Sequence, residues 1–439
     1  MLRVYLPRSV KITSDSPYLP NILDRYFDSS EFSVVRDSDE KSRLILLPCS
    51  NPYQLSRKLA ALKGGNRLIY DSLPEADLNA LRKGAKNLAI DMGGEMFFTR
   101  PEMIDGMHEG LAEVGISRSQ LLIINGDANS EANYRKHCSA RSIADTVSIL
   151  ALDSYPLFLL AHQRMEPRAF RDRAADIKER RGGDRGRKAF LNFNGRSRPH
   201  RIYTVLLLMA YGLMESGLVS LLNYGGSTAG TVLQRRDADD LLAAAAKLRA
   251  DFSGWPRAEI CLPHVEALLG KLPLELDLSA EESIANGRYR WQTPWEMQNL
   301  DLYHRSHLSL VTDTLLPKDK VLFVTEKVYK SFVGFHPFIY IGSGRALEHL
   351  RTLGFQTFHP FIDESYDLEP HGPTRLVRAV DALQRFASLP EAGRQEIYDA
   401  LWPRVLHNAL HACVDAPAWV KAKLELEIRQ PLVAYCKTH

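Results

Sequence analysis

The sequence lacks the features that mark membrane, secreted and disulfide-rich proteins. Its 439 residues contain no apolar run of membrane-spanning length, and the longest candidate, 205–210, is short and follows a basic stretch. The N-terminus begins like a β-strand and has no apolar signal-peptide segment. The five cysteines are scattered, and an odd number in a chain of this length favours a reducing compartment. We therefore expect a cytoplasmic protein without a transmembrane segment, whose only contact with a membrane would be peripheral.

Strongly unbalanced charge is lacking as well. The formal net charge is +3, which is too small to indicate a nucleic-acid partner by itself. The sequence contains no internal repeat, no low-complexity tract and no set of residues with metal-ligand spacing, so no metal site is predicted.

A chain of this length exceeds one ordinary domain, and its apolar and charged fractions are typical of globular proteins. The sequence predicts two domains, residues 1–188 and 189–439.

The stretch from Val321 to Asp367 alternates apolar runs with helix-length segments. The runs 321–324, 338–341 and 355–358 are predicted to be strands, and the segments between them are predicted to be helices. This order predicts a βαβαβ unit with a parallel sheet. In such sheets ligands bind outside the carboxyl ends of the strands.

Polar and small residues follow these predicted strands. Lys327, at a helix start, would add positive charge to backbone N–H groups that already favour phosphate. Glu326 could accept hydrogen bonds from a ribose diol, and Gly342 and Gly344 would let the backbone approach a ligand closely. A plainer interpretation is that Thr325 and Glu326 cap a helix, that Lys327 is solvated and that the glycines form turns.

The first half of the chain also alternates predicted strands and helices, which indicates a layered α/β domain. Two of its strand ends carry carboxylates. One holds Asp91 and Glu95 around a Gly-Gly turn, and the other holds Asp127 between Asn125 and Asn129. A carboxylate at such an edge could act as a general base facing a cleft. Asp, Asn and Gly are also ordinary loop residues, so both interpretations stay open here.

Basic residues are concentrated in two places. The segment 161–188 is rich in arginine, which predicts an exposed connection, with a helix that has a flexible end as one form of it. Such a connection is either a solvated linker or a contact for nucleic acid or a lipid surface. A predicted strand at 189–193 is followed, before an apolar helix, by Asn194, Arg196, Arg198, His200 and Arg201. Arginine donors and helix N–H groups at one strand-to-helix turn form an anion-binding arrangement. A basic surface turn is the plainer alternative.

Four motifs lie in the second half: LNFNGRSRPHR (191–201), SLVTDT (309–314), FVTEKVYKSF (323–332) and HPFIYIGSG (336–344). Together they resemble the C-terminal donor-binding region of fucosyltransferase-like glycosyltransferases, that is, glycosyltransferase family 10 and its relatives. Those proteins have a Val-Thr-Glu-Lys motif followed by a helix, an apolar strand with proline, and a glycine. The resemblance covers roughly the second half of the chain, and the first half departs from the family.

The resemblance implies a GT-B architecture, which is α/β with two Rossmann-like domains facing across a cleft. It implies that Glu326 binds the ribose of a nucleotide-sugar donor and that Lys327, with an arginine of the basic turn, holds the diphosphate. The reaction would be inverting, with Glu95, Asp91 or Asp127 of an acceptor-side N-terminal domain as the base. No cofactor is expected beyond the co-substrate, a GDP-sugar or UDP-sugar. Fixed cations can stabilise the leaving diphosphate without a divalent metal.

Two other functions are compatible with the sequence. A glycosyltransferase that acts on modified DNA would use the arginine-rich segment as its contact and would bind duplex with strong salt dependence. A non-catalytic nucleotide-binding protein of the same fold would tolerate replacement of every candidate base. The leading interpretation remains transfer of a sugar to a hydroxyl acceptor, a glycan or another saccharide.

Overall fold

The structure is a computed structural model of the chain. It describes residues 2–8, 18–36, 43–49, 52–61, 68–92, 101–183, 186–195, 197–222, 238–274, 276, 300–317 and 321–438. Among the described residues, no helix has both the length and the apolar character that crossing a membrane requires.

The described elements alternate along most of the chain. The strands are β1 (Leu2–Tyr5), β2 (Phe32–Val35), β3 (Leu44–Pro48), β4 (Asn87–Asp91), β5 (Leu121–Asn125), β6 (Ser148–Ala151), β7 (Lys188–Asn192), β8 (Gly217–Val219), β9 (Ser306–Thr312) and β10 (Phe338–Ile341). The helices are α1 (Leu19–Tyr26), α2 (Arg57–Ala61), α3 (Glu75–Arg82), α4 (Pro101–Val114), α5 (Ser130–Ala140), α6 (Ser154–His162), α7 (Pro167–Gly183), α8 (Pro199–Ala210), α9 (Ala238–Phe252), α10 (Ala258–Cys261), α11 (Val265–Leu269), α12 (Leu300–His304), α13 (Glu326–Val333), α14 (Ala346–Thr352), α15 (Gly372–Ala387), α16 (Glu391–Leu410), α17 (Ala416–Leu424) and α18 (Gln430–Thr438).

The chain forms two compact units. The first consists of Met1–Ala161, Lys320–Phe323 and Ala416–His439, and the second of His162–Asp319 and Val324–Asp415. The predicted division after residue 188 differs from this one, because α7 belongs to the second unit and the last two helices belong to the first. The acceptor and donor roles of the two parts stay predictions.

Each unit is built on a parallel sheet. The first sheet has the strand order β2-β1-β3-β4-β5-β6, and the second has the order β10-β9-β7-β8. Every strand pair in these two sheets is parallel. The order reverses between β1 and β3 and again between β7 and β9, which are the points where doubly wound sheets bind ligands. The predicted fold class, α/β with two Rossmann-like units, is confirmed.

The central strands are buried along their whole length. Every residue of β4, β5 and β9 is buried, whereas β2, at an edge of the first sheet, is only partly buried. Strands covered by helices on both faces consist of nearly continuous apolar runs, which is why LILL, LAI and LLII were recognisable as strands in the sequence. The core of the first unit is formed mainly by these runs and by α4.

Two predicted strands of the central stretch are wrong. Residues 321–325 and 355–358 are buried in large part but belong to neither sheet. The Leu322 N–H donates to the Asp127 carboxylate at 3.0 Å, and its carbonyl accepts from the Ala128 N–H at 2.9 Å. The backbone of Leu322 is therefore hydrogen-bonded to the Asp127 side chain and the Ala128 backbone in the loop after β5, and not to a neighbouring strand. In place of the predicted βαβαβ unit, β9, α13 and β10 form a single βαβ crossover.

The segment predicted to be an exposed connection, 161–188, consists mostly of exposed or partly buried residues. Most of it is helix α7, and Arg181 near its end is buried. The Arg181 guanidinium donates through Nη2 to the carbonyls of Tyr303 at 2.8 Å and Ser306 at 3.0 Å. Arg173 donates to the Val333 carbonyl at 3.3 Å. Two of the arginines therefore hold α7 to the second unit.

Helix α4 passes so close to the backbone at Leu55 that residue 110 must be glycine. A Cβ on Gly110 would lie 1.8 Å from the Leu55 carbonyl oxygen, whereas a Cβ on Gly182 in α7 would meet nothing within 4 Å. We expect Gly110→Ala to lower the free energy of unfolding by about 2–3 kcal/mol, because α4 must shift. Gly182→Ala should instead be neutral or stabilising by up to ~1 kcal/mol. Urea denaturation of the two variants checks this, and equal effects would contradict the close packing.

Candidate functional site

The carboxylate of Asp313 is the centre of a hydrogen-bond network at the carboxyl end of β9. It accepts from the Thr325 backbone N–H at 3.0 Å and from the Thr325 hydroxyl. It also accepts from the Tyr340 hydroxyl at 2.6 Å and from the Thr314 N–H. Burial and the nearby Asp313 charge raise the pKa of Tyr340 well above its usual value, so Tyr340 stays a donor. Asp313 thus joins β9, β10 and the start of α13.

Amide side chains link β7 to the same edge. Asn192 donates to the Leu310 carbonyl at 2.6 Å. Asn194 donates to the Asn192 side chain at 2.6 Å and to the Ser220 carbonyl at 3.0 Å. Its carbonyl oxygen accepts from the Thr312 hydroxyl. The predicted site residue Asn194 is therefore fully engaged with protein groups, and its place is structural support for the turn after β7.

Lys327 and Glu326 form an ion pair at the start of α13. The Lys327 Nζ lies 2.8 Å from Glu326 Oε1, 3.0 Å from the Thr314 hydroxyl and 3.3 Å from the Thr325 hydroxyl. Burial opposes ionisation of Glu326, but Lys327 and Lys330 hold its pKa below the usual value. The Glu326 side chain is 8 % exposed and that of Lys327 is 28 % exposed. Of the two, Lys327 is therefore the one that offers more of its surface to a ligand.

The basic turn before α8 is divided between buried and accessible groups. Arg201 donates through Nε at 3.3 Å and Nη2 at 3.0 Å to the Asp313 carbonyl, and His200 Nε2 lies 2.9 Å from the same oxygen. Burial and the Arg201 charge lower the pKa of His200 to about 3, so His200 is a neutral N–H donor there. Arg198 is the helix N-cap residue and is only partly buried. Arg201 therefore fixes the turn, and Arg198 is the better placed to meet an anion.

A cavity of about 520 Å³ opens beside this turn in the second unit. Its walls include Arg198, His200, Trp255, Thr314, His371 and Pro373. The cavity lies at the N-termini of α8 and α15, and both helices have proline in their first turn. Helix N-termini present unpaired N–H groups and partial positive charge, so two of them with an arginine favour an anionic ligand. The size is within the range of small-molecule sites.

Gly342 and Gly344 have a packing role. A Cβ on Gly342 would lie 2.3 Å from the Tyr340 hydroxyl, and one on Gly344 would lie 3.1 Å from Arg375 Nη1. Arg375 is buried and donates through Nε at 3.0 Å and Nη2 at 2.8 Å to the Gly342 carbonyl. The two glycines thus make room for Arg375 and Tyr340, and their approach to a ligand stays a prediction.

The candidate bases lie in the first unit or outside the described residues. Asp91 is buried at the end of β4 and accepts from the Leu19 N–H at the start of α1. Asp127 is buried after β5, and its Oδ1 accepts from the N–H groups of Asn129 at 2.9 Å and Leu322 at 3.0 Å. Burial raises the pKa of Asp127 to about 6. Glu95 and the donor-site candidate Arg196 lie outside the described residues.

The sequence prediction points to the sheet edge where this hydrogen-bond network and cavity lie, but it does not include the central residues of the network. It did not single out Asp313, Tyr340 or Arg375 as site residues. The signal for Asp313 was its position directly after the strand 306–312, flanked by two threonines that can donate or accept. Among the described residues, no group of His, Cys, Asp and Glu could hold a metal ion.

No family model and no curated protein sequence matches the chain. Three solved structures are similar over nearly their whole length. The N-terminal domain of trehalose-6-phosphate phosphatase from Candida albicans is 10% identical, with 99% of this chain and 97% of that chain covered and a TM-score of 0.41. The trehalose 6-phosphate synthase from Burkholderia multivorans is 11% identical, with coverages of 99% and 98% and a TM-score of 0.39. The UDP-forming trehalose-phosphate synthase from Burkholderia vietnamiensis is 12% identical, with coverages of 100% and 99% and a TM-score of 0.40.

Likeness at these TM-scores and identities does not establish a shared activity. The resemblance to glycosyltransferase family 10, and the relative placement of the two units that a GT-B architecture includes, stay predictions.

Replacing Asp313 with asparagine tests the network. The asparagine NH₂ would face groups that already donate, so at least one buried donor would lose its acceptor. We expect Asp313→Asn to lower the free energy of unfolding by about 2–4 kcal/mol. The control is Asp399→Asn, because the exposed Asp399 accepts from the Gln395 side chain on the same helix. Thermal denaturation that gives the same loss in both variants would contradict the central role of Asp313.

Proposed function

We propose that the chain is a glycosyltransferase that moves a sugar from a nucleotide-diphosphate donor to a hydroxyl acceptor. The observation that supports this most directly is the cavity at the point where the strand order of the second sheet reverses. Arg198 and the starts of two helices border that cavity, and its wall residue Thr314 accepts from Lys327. A cavity with this lining suits a ligand that has an anionic group and an apolar, planar one.

The donor would occupy the cavity with its phosphates towards Arg198 and the helix N-termini. The partly buried Trp255 offers an aromatic face in the same cavity, on which a nucleobase could stack. Lys327 would meet the diphosphate from the other side of Thr314. Glu326 as a ligand of the ribose stays part of the proposal, supported by its place beside Lys327.

Departure of a nucleoside diphosphate needs fixed positive charge where negative charge develops. Arg198, Lys327 and the N-terminus of α8 would provide it without a metal ion. Arg201 and His200 act indirectly, since both are bonded to the Asp313 carbonyl and hold the turn in place. The proposal therefore divides the basic turn into positioning residues and one residue that touches the donor.

An inverting reaction also needs a base for the acceptor hydroxyl. Of the two candidates that the structure describes, Asp127 suits the role better, because its pKa of about 6 keeps it both ionised and basic near neutral pH. Its Oδ2 is buried and has no hydrogen-bond partner. Asp91 already accepts the N–H at the start of α1. Glu95 remains a third candidate.

The nucleic-acid alternative has less support than the leading proposal. Its predicted contact is the arginine-rich segment 161–188, and two arginines of that segment, Arg173 and Arg181, are bonded to backbone carbonyls of the second unit. Transfer to modified DNA is therefore not proposed.

The donor site can be tested by calorimetry with GDP and UDP. We expect wild-type protein to bind one of them, and Arg198→Met to weaken that binding about 10–100-fold, because a charged hydrogen bond to phosphate is lost. The control is Arg385→Met, which removes an exposed arginine of the same unit that pairs with Asp363. If Arg198→Met and wild type bind the nucleotide with equal affinity, the diphosphate does not bind at this turn. If wild-type protein binds no nucleoside diphosphate, the proposed class of donor is refuted.

The base can be tested with Asp127→Asn. The folded-state pKa of about 6 lies above the unfolded value of 3.8, so the stability that Asp127 contributes exists below pH 3.8 and is lost as pH rises through 6. At pH 7.5 the ionised, buried carboxylate therefore destabilises the folded state. Asparagine at this position should leave the free energy of unfolding unchanged or raise it by up to about 3 kcal/mol. Release of nucleoside diphosphate from the donor in the presence of saccharide acceptors should fall about 10²–10⁴-fold.

The comparison variants for this test are Asp91→Asn and Glu95→Gln. If Asp127→Asn keeps full activity and one of the other two variants loses activity, the residue changed in that other variant is the base. Loss of activity together with loss of stability in Asp127→Asn would indicate a structural role instead.

A further inference from the structure

The amino end of the second sheet, opposite the candidate donor site, contains a group of basic side chains, three of them buried and two partly buried. We call it the cationic layer and define it as Arg181, His304, His307, His336 and Arg394. Arg181 comes from the end of α7, His304 from α12, His307 from β9, and Arg394 from the start of α16. His336 precedes β10. The donor cavity does not include any of them.

Arg181 is a buried cation without an ion-pair partner among the described residues, and the carboxylate charge that acts on it is that of the exposed Asp399. It is 3 % exposed, and its Nη2 donates to two backbone carbonyls. Its guanidinium carbon lies 3.9 Å from the centre of the Tyr398 ring. Its Nε and Nη1 have no hydrogen-bond partner. Among the described residues, no carboxylate pairs with it, and a buried charge without a counter-charge is costly.

His307 is the second group without partners. It is fully buried on β9, and neither of its ring nitrogens has a hydrogen-bond partner. Burial and the charge of Arg181 lower its pKa to about 3, so it is neutral and carries one N–H that no protein acceptor satisfies. Arg394 adds to the same positive field, and its Nε is also without a partner.

His336 and Glu391 are already engaged with protein groups, whereas the Nδ1 atom of His304 has no hydrogen-bond partner. His336 Nε2 lies 2.9 Å from the Ser306 carbonyl, and its Nδ1 lies 2.8 Å from the Ser309 hydroxyl. The acid whose charge acts on His307, Glu391, accepts the N–H groups of Gly186 at 2.7 Å and Arg187 at 3.0 Å. Buried polar groups in native proteins are almost always satisfied by protein, water or a bound ion.

We propose that the cationic layer binds a small inorganic anion of the size of chloride between Arg181 and His307. The anion would accept from Arg181 Nε and Nη1 and from the His307 N–H, and it would neutralise the Arg181 charge. A monatomic anion fits because both residues are almost completely buried, which leaves no route for a carboxylate or phosphate attached to a larger molecule. The site is structural and is independent of the proposed donor site.

Bromide replaces chloride in such sites and scatters anomalously, which gives a direct test on the wild-type protein. Crystals grown or soaked in sodium bromide should show an anomalous peak within hydrogen-bonding distance of Arg181 and His307. Density there without an anomalous signal would mean that water fills the site and would overturn the proposal.

Thermal denaturation gives a second test in solution. At constant ionic strength, exchange of gluconate for chloride should raise the Tm by on the order of 1.5–3 °C for each tenfold increase in chloride above its Kd. The increment should vanish in Arg181→Met and in His307→Leu. It should persist in Arg180→Met, which removes the adjacent, exposed arginine that pairs with Asp176. An equal increment in all variants, or none in wild type, would refute the site.

Discussion

The four donors that converge on the Asp313 carboxylate are the constraint on which the second unit depends. They come from three parts of the site: one from the loop after β9, two from Thr325 at the start of α13, and one from Tyr340 in β10. Hydrogen bonds to a charged acceptor contribute about 1.5–3 kcal/mol each. Asp313 is buried, so water cannot take the place of a lost donor or acceptor in this network. The helix start that carries Glu326 and Lys327 is therefore fixed by a carboxylate whose hydrogen bonds are made to protein donors.

Arginine has two distinct functions in this unit. Arg201 and Arg375 are buried and donate to backbone carbonyls, which places the basic turn and the Gly-Ser-Gly turn. Arg198 keeps a more accessible guanidinium beside the cavity. A planar cation with five donors can organise several carbonyls at once, which lysine cannot do. The rigid turns reduce the ordering cost of binding an anion there.

The sequence was most informative where one physical effect dominates. Continuous apolar runs identified β3, β4 and β5, because burial on both faces excludes polar residues. The same pattern failed at 321–324 and 355–358, where buried apolar residues take their backbone partners from turns and side chains. Arg181 was assigned to solvent because arginine is usually exposed. Asp313 was missed because one acid after a strand resembles an ordinary turn residue until its four donors are seen.

The first unit is discontinuous along the chain, and this has a consequence for synthesis. Its helices α17 and α18 follow the whole second unit in the sequence, and Tyr435 in α18 donates to the Ser119 carbonyl at 3.0 Å. Asn87 at the start of β4 donates to the Tyr435 carbonyl at 3.4 Å. On the ribosome, the first sheet must therefore wait for residues 416–438 before its helical cover is complete. The second unit, although encoded later, can finish its own sheet and core before the first one is closed.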